Sequence, residues 1–100
     1  MESRDQALLP ELVVALRSGD WHVRAEAAWR LGRTGLPLAV TLLEAALADP
    51  YWQVRKEAAT ALSQLPARAA VPTLADWLED EDPEVRRAVA DAIALIQAQS

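Results

Sequence analysis

Apolar residues in this 100-residue chain recur at helical spacing, in stretches that Pro, Gly and Asp separate. Leu9, Leu12 and Leu16 follow one another at intervals of three and four residues, which places them on one face of a helix. Asp82-Pro83 is typical of a helix start, with an N-cap residue followed by proline at the first helical position. We predict helices near residues 5–18, 21–33, 37–48, 51–64, 68–79 and 83–97.

The same pattern returns every 31 residues along the chain. Columns with this interval are Val23, Val54 and Val85; Arg24, Arg55 and Arg86; Leu12, Leu43 and Leu74; Leu31, Leu62 and Ile93; and Ala28, Ala59 and Ala90. One helical hairpin of this length cannot bury its apolar stripe alone, whereas three stacked hairpins share a continuous core. The sequence predicts an all-α fold, a right-handed superhelix (a short α-solenoid) of three hairpins and six helices. It forms one domain, 1–100, with units at about 5–35, 36–66 and 67–98.

Two columns lead to specific structural predictions. The valines at 23, 54 and 85 are predicted to occupy matching positions in the core. The arginines that follow them are predicted to pair with an aspartate between the helices, and so to tie adjacent turns together. The candidate partners of the arginines are Asp20, Asp49 and Asp82.

The segment from Asp82 to Ile93 reads Asp-Pro-x-Val-Arg-x-x-x-Ala-x-x-Ile. This pattern resembles HEAT repeats, and the 31-residue period resembles the short HEAT-like type named after phycobilisome lyases. The resemblance implies that the second helix of each unit lines a concave surface, which usually binds proteins. Some members of this family are bilin lyase subunits, related stacks bind DNA, and engineered binders use the same scaffold.

The second helices also carry a face opposite the core stripe, and its side chains differ from unit to unit. Structure demands similar residues in the core, whereas a recognition face is free to vary. Trp29 stands out, because Trp is enriched among the residues that dominate binding at interfaces. Glu84 and Leu95 occupy equivalent positions in the third unit. The residues predicted to bind a partner are His22, Trp29, Arg33, Gln53, Lys56, Thr60, Gln64, Arg87 and Asp91.

Other apolar residues are predicted to serve packing. Trp21, Tyr51 and Trp52 lie at hairpin turns, where packing between adjacent turns is favoured over a binding patch. Trp77 replaces an alanine of the earlier units and is predicted to cover the open end of the stack. The outer side of the last helix is predicted to carry small and apolar residues, which favours self-association or a partner at this end. These residues are Ala88, Ala90, Ala94 and Leu95.

The charge and composition exclude several classes of function. The net charge is −5, which disfavours binding to nucleic acid or to an anionic membrane surface. The chain has no Cys and a single His, His22, so neither a thiolate nucleophile nor a metal site with several strong ligands is predicted. No cofactor is expected. The polar N-terminus and the lack of a long apolar run predict a soluble, cytoplasmic protein.

The sequence therefore predicts a non-catalytic scaffold that binds another protein through its concave face, with a homo-oligomer through the last helix as a further possibility. Two alternatives stay open. One is a bilin lyase subunit or another chromophore-handling protein, and the other is an engineered repeat protein without a natural task.

Overall fold

The computed structural model describes residues 4–99, and within this range every regular element is helical. The predicted all-α fold is confirmed. The helices are α1 (Arg4–Ala7), α2 (Leu9–Ala15), α3 (Trp21–Leu31), α4 (Pro37–Ala46), α5 (Trp52–Leu62), α6 (Val71–Ala75) and α7 (Pro83–Ala98), with a 3₁₀ helix at Arg68–Ala70 before α6. The predicted domain also includes residues 1–3 and 100, which lie outside the described residues.

The prediction of six helices roughly matches the seven found, and the difference arises because the first predicted helix is divided into α1 and α2 at Leu8. Pro10 explains the division. It has no N–H to donate, and in a continuous helix its ring would meet the carbonyl of Gln6. The fifth predicted helix is also shorter than expected, since it begins as a 3₁₀ turn and its α-helical part ends at Ala75.

Local sequence signals set the helix ends. Asp20 caps α3 by accepting a hydrogen bond from the backbone N–H of His22 at 2.9 Å. Asp82 caps α7 in the same way, accepting from the N–H groups of Glu84 and Val85. Gly35 has a φ of 71°, a left-handed conformation that glycine adopts without strain, and it redirects the chain between α3 and α4.

The helices stack as three hairpins, which we call the first (α2 and α3), the second (α4 and α5) and the third (α6 and α7). The second helices form one layer, in which α5 packs against both α3 and α7. Leu31, Leu43, Leu62 and Leu74 are fully buried between the hairpins. The three hairpins therefore share one core, as the 31-residue period predicts.

Small residues let the second helices approach closely. A Cβ added to Gly32 would lie 2.8 Å from the Cα and Cβ atoms of Ala61, a separation that real Cβ atoms do not adopt. Gly32 is therefore required for the close packing of α3 against α5. The equivalent position in the second hairpin is Ser63, so the two interfaces between second helices are not packed identically.

An arginine ladder links the turns of successive hairpins. Arg24 makes a bidentate pair with Asp49, with Nε–Oδ2 at 2.7 Å and Nη2–Oδ1 at 3.2 Å. Arg55 makes the same pair with Asp80, at 2.9 Å and 3.1 Å. Planar pairing of this kind fixes orientation as well as contributing energy. The prediction that the arginine column ties adjacent turns together agrees with this geometry.

Two of the three predicted partners of the ladder are wrong. Asp20 and Asp82 are helix caps, and the carboxylates in the ladder are Asp49 and Asp80. The reason is the conformation of the turn, in which residues two positions apart point in different directions. In the turn of the third hairpin, the Asp82 carboxylate faces its own helix, α7, and the Asp80 carboxylate faces the second hairpin.

The valine column also departs from the prediction. Val54 and Val85 are buried, whereas Val23 is 39% exposed. The first hairpin has no hairpin before it among the described residues, so nothing covers this position. The core is continuous through the three hairpins, but Val23, the first valine of the column, is exposed to solvent.

Candidate partner-binding face

The second helices present a shared surface on the side away from the first helices. We call it the second-helix face and define it by Trp29, Arg33, Lys56, Thr60, Arg87 and Asp91. Trp29, Thr60 and Asp91 are separated by 31 residues and so occupy equivalent positions on α3, α5 and α7. The structure thus places the central column of the predicted site on one face of the stack.

A groove between α5 and α7 contains most of the predicted residues of this face. It encloses about 340 Å³. Its polar and apolar lining includes Lys56, Thr60, Glu84, Arg87, Asp91 and Leu95. Lys56 Nζ lies 3.0 Å from Glu84 Oε1 across the groove, and both side chains are substantially exposed. An exposed pair of this kind contributes little to stability, so its charges are available to a ligand.

Trp29 and Arg33 form the aromatic part of the face. The Trp29 side chain is 41% exposed, and the guanidinium carbon of Arg33 lies 4.9 Å from the centre of its ring. Arg33 Nε also lies 3.4 Å from Asp5 Oδ2. The cation therefore holds the indole in one orientation while a large part of the ring surface stays accessible.

His22 lies at the turn rather than in the groove. Its imidazole stacks on Trp21 with ring centroids 3.6 Å apart, and its Nδ1 lies 3.1 Å from Asp20 Oδ1. The backbone N–H and the side chain of His22 lower the pKa of the Asp20 carboxyl. This arrangement is the consequence of helix capping, because the same carboxylate accepts from the first turn of α3.

The two predicted glutamines also lie outside the groove. Gln53 is half-buried, and its Oε1 atom is buried without a hydrogen-bond partner among the described residues. Gln64 is exposed but lies in the turn after α5. Of the nine predicted residues, the structure thus brings Lys56, Thr60, Arg87 and Asp91 together.

The turns of the first two hairpins are joined by aromatic packing. Trp21 and Tyr51 stack with ring centroids 5.9 Å apart and an interplanar angle of 16°. The guanidinium carbon of Arg24 lies 5.5 Å from the centre of the Tyr51 ring. The predicted packing between adjacent turns agrees with this geometry, and it supports the ladder from one side.

A family model for HEAT repeats matches residues 2–63 and 40–100, which together span nearly the whole chain. The chain belongs to the HEAT-repeat family. No curated protein matches it. Its exposed second-helix face therefore lies on a known repeat scaffold whose task in this protein has to be argued from its own side chains.

Two solved structures resemble this HEAT-repeat chain. One is human deoxyhypusine hydroxylase in complex with glycerol, with 29% identity, a TM-score of 0.79, and coverage of 87% of this chain and 31% of that one. The other is the complex of CpcE and CpcF of phycocyanin lyase from Nostoc sp. PCC7120, with 37% identity, a TM-score of 0.80, and coverage of 88% and 37%. The chain thus spans about a third of the length of either protein.

The structure adds three groove residues that the sequence analysis did not assign to the site. Ser63, Ala88 and Ala92 line the groove between the last two HEAT units. Ser63 lies one turn after Thr60, so the helical period was a signal for it. The placement of Ala88 on the outer side of the last helix is wrong, since α5 and α7 nearly bury it between them.

The predicted role of Trp77 is also wrong. Trp77 lines a hollow between the second and third HEAT units, together with Asp49, Arg55 and Asp80. It faces back into the stack and leaves the end of the stack uncovered. Its size suits a space between two units that smaller residues leave unfilled elsewhere.

Metal sites and membrane-spanning helices can be sought in the part of the chain that the structure describes. Between residues 4 and 99, no group of three or more His, Asp or Glu side chains comes together in a way that would hold a metal ion. Within the same range, no helix is long and apolar enough to cross a membrane. Arg24 and Arg55 of the arginine column are both engaged by carboxylates.

Proposed function

We propose that this HEAT-repeat protein is a non-catalytic binding module that holds a protein partner against its second-helix face. The observation that carries the proposal is the exposed indole of Trp29, held by Arg33 and followed along the same face by a groove with both signs of charge. Aromatic and arginine side chains are the residues that most often dominate protein interfaces. The similarity to the CpcE and CpcF complex supports a protein as the partner.

The groove composition indicates what kind of partner surface would fit. Lys56 and Arg87 supply positive charge, while Glu84 and Asp91 supply negative charge within the same hollow. A partner with alternating charges would satisfy these groups, and an apolar side chain beside them would cover Trp29. Such a pattern favours selection among partners more than raw affinity.

The test is affinity capture from the source cells, followed by titration of the purified partner. We expect Trp29→Ala to weaken binding by about 30-fold or more, the effect of losing one dominant interface residue. Leu38→Ala is the matched control, because Leu38 is also a large exposed apolar residue but lies on α4, away from the second-helix face. Equal affinity of wild type and Trp29→Ala, with both proteins folded, would refute the proposal.

A second candidate is a chromophore-handling role, favoured by the 37% identity to the phycocyanin lyase complex. The groove volume of about 340 Å³ lies at the lower end of the range for small-molecule sites. Mixing the protein with a free bilin, alone and with a partner subunit, tests this candidate. A shift of the visible absorbance that Arg87→Ala removes would favour it over the protein-binding role.

A further inference from the structure

The two ends of the HEAT stack differ in the residues that they present. At the first end, Arg30 occupies the position that buried Ala61 and Ala92 hold in the later units. Its guanidinium lies 3.6 Å from Asp5 and 3.7 Å from Glu26, within an ion-pair cluster. The first end thus carries a charged cluster at this position, while Val23 at the same end is apolar and 39% exposed.

The other end keeps the residue types of the interior. Leu78 is 41% exposed, although its equivalent Leu47 is fully buried beneath the following unit. Ala90 is likewise exposed, whereas Ala28 and Ala59 are inaccessible in the earlier units. No charged residue replaces either of these apolar positions. We call Leu78, Arg86, Ala90 and Ile93 the C-terminal face.

The arginine ladder shows the same asymmetry in its hydrogen bonds. Arg24, Arg55 and Arg86 each donate through Nη1 to a backbone carbonyl six residues earlier, at 2.8, 2.8 and 2.7 Å. Arg24 and Arg55 also bind a carboxylate of the following unit through Nε and Nη2. Within residues 4–99, Arg86 makes the first contact only, so its other two donors point to a position that no carboxylate of this range fills.

The first end lacks the matching acid. The carboxylates of the ladder, Asp49 and Asp80, are preceded in their column by Ser18. The Ser18 hydroxyl accepts from the N–H of Asp20 at 3.1 Å, as Asp49 Oδ1 accepts from Tyr51, so the serine preserves the turn but carries no charge. A second copy stacked head to tail would therefore place Ser18 and Arg30 against the C-terminal face.

We propose that the C-terminal face docks a helical hairpin of another protein, whose turn between helices carries an Asp or Glu that Arg86 binds as Arg55 binds Asp80. The apolar residues around Arg86 would pack on the hairpin, and the guanidinium would set its register. Ser18 and Arg30 disfavour a second copy of this chain as the occupant, since Ser18 offers no charge to Arg86 and Arg30 adds a second cation. Two C-terminal faces brought together would oppose one Arg86 to another.

The test uses a defined acidic hairpin as the probe. The probe is a variant of this chain. It carries Ser18→Asp and Arg30→Ala, which install the residues that the second unit has at these positions. It also carries Arg86→Ala, which prevents the probe from stacking on itself. Mixed with the wild-type chain, it should form a 1:1 complex with a dissociation constant below about 100 μM in sedimentation velocity, a modest affinity for a pair of packed surfaces of this kind. The wild-type chain alone should remain monomeric at the same concentrations.

Substitutions in the chain that binds the probe supply the control. Arg86→Ala in the otherwise wild-type chain should weaken the complex at least 10-fold, the usual effect of one charge-assisted hydrogen-bonded pair. Arg87→Ala should leave it within 2-fold, since Arg87 faces the groove between α5 and α7. If the triple variant is unfolded by circular dichroism, a variant with Arg30→Met in place of Arg30→Ala, which removes the charge but keeps a long side chain, serves as the probe under the same criteria.

Three results would overturn the proposal. They are no complex at 10 times the expected dissociation constant with both chains folded, a complex that Arg86→Ala leaves intact, and self-association of the wild-type chain through this face. None of these measurements depends on Trp29. The second-helix face can therefore fail as a binding site while this proposal stands, and the reverse also holds.

Discussion

The junction between the first and second HEAT units and the junction between the second and third units have the same geometry but different chemistry. At the first, Val13 and Leu42 line an open hollow of about 340 Å³ between α2 and α4. At the second, the equivalent residues are Glu44 and Thr73, which share a hydrogen bond of 2.8 Å. A 31-residue period thus fixes where two units meet, while individual side chains decide how tightly the junction closes.

The ladder pairs show the same contrast. The side chains of Arg24 and Asp49 at the first junction are 13% and 10% exposed, whereas those of Arg55 and Asp80 at the second are 8% and 3% exposed. Trp77 partly fills a hollow at the second junction, at the position where the first junction has Ala46. We therefore expect the second junction to be the more sensitive of the two to substitution.

The largest expected difference concerns the ladder arginines. Arg55→Ala would leave the Asp80 carboxylate buried without its partner, and we expect a loss of about 3–5 kcal/mol in the free energy of unfolding. Arg24→Ala exposes Asp49 to water more readily, and we expect a smaller loss of about 1–3 kcal/mol. Urea denaturation of the two variants measures both values. Equal losses would contradict the contrast between the junctions.

Trp77 offers the next test. Trp77→Ala would open the second junction to resemble the first, and we expect a loss of about 2–3 kcal/mol, less than for a fully buried tryptophan because the side chain is only partly buried. The reciprocal change, Ala46→Trp, would fill the first hollow and should change stability by less than about 1 kcal/mol in either direction. Thermal denaturation of both variants measures these effects. A larger loss for Ala46→Trp than for Trp77→Ala would show that the two hollows are not equivalent.

Gly32 tests the layer of second helices. Gly32→Ser introduces the residue that the second unit has at this position, and its Cβ would press against the backbone of Ala61. We expect a loss of about 1–2 kcal/mol from overpacking. Ser63→Gly is the matched control and should cost no more than about 1 kcal/mol, the backbone effect of glycine. A neutral Gly32→Ser variant would mean that α3 and α5 separate at little cost.

The smallest expected effect is a pH dependence at the first junction. Burial raises the pKa of the Asp49 carboxyl, but hydrogen bonds from Arg24 and from the N–H of Tyr51, together with the charges of Arg24 and Arg55, hold it below its ordinary value. A lowered pKa in the folded state stabilises the fold above the ordinary carboxyl pKa of about 3.9, and this stabilisation is lost as the pH falls through the lower folded value. Melting curves between pH 7 and pH 2.5 should therefore show a smaller acid-dependent loss for Asp49→Asn than for wild type. Identical profiles would contradict this assignment.

The candidate site was predictable as a face but not as a list of residues. Helical rotation from the core stripe placed Lys56, Thr60, Arg87 and Asp91 together, because these residues lie within regular helix. The same rotation failed for His22 at the start of α3, where capping and stacking on Trp21 decide the side-chain position. Periodicity describes helix interiors and loses its meaning at their ends.

The sequence by itself determined the helical class, the 31-residue unit and the identity of most core positions. It could do so because apolar side chains that must share one interior have to return at a fixed interval. Tertiary structure decided that Asp80 and not Asp82 joins the ladder, that Asp20 stays outside it, and into which junction Trp77 packs. It also decided that Val23 and Leu78 lie open at opposite ends of the stack. These outcomes depend on which neighbour stands beside a residue in space, and a residue at the end of a stack has a neighbour on one side only.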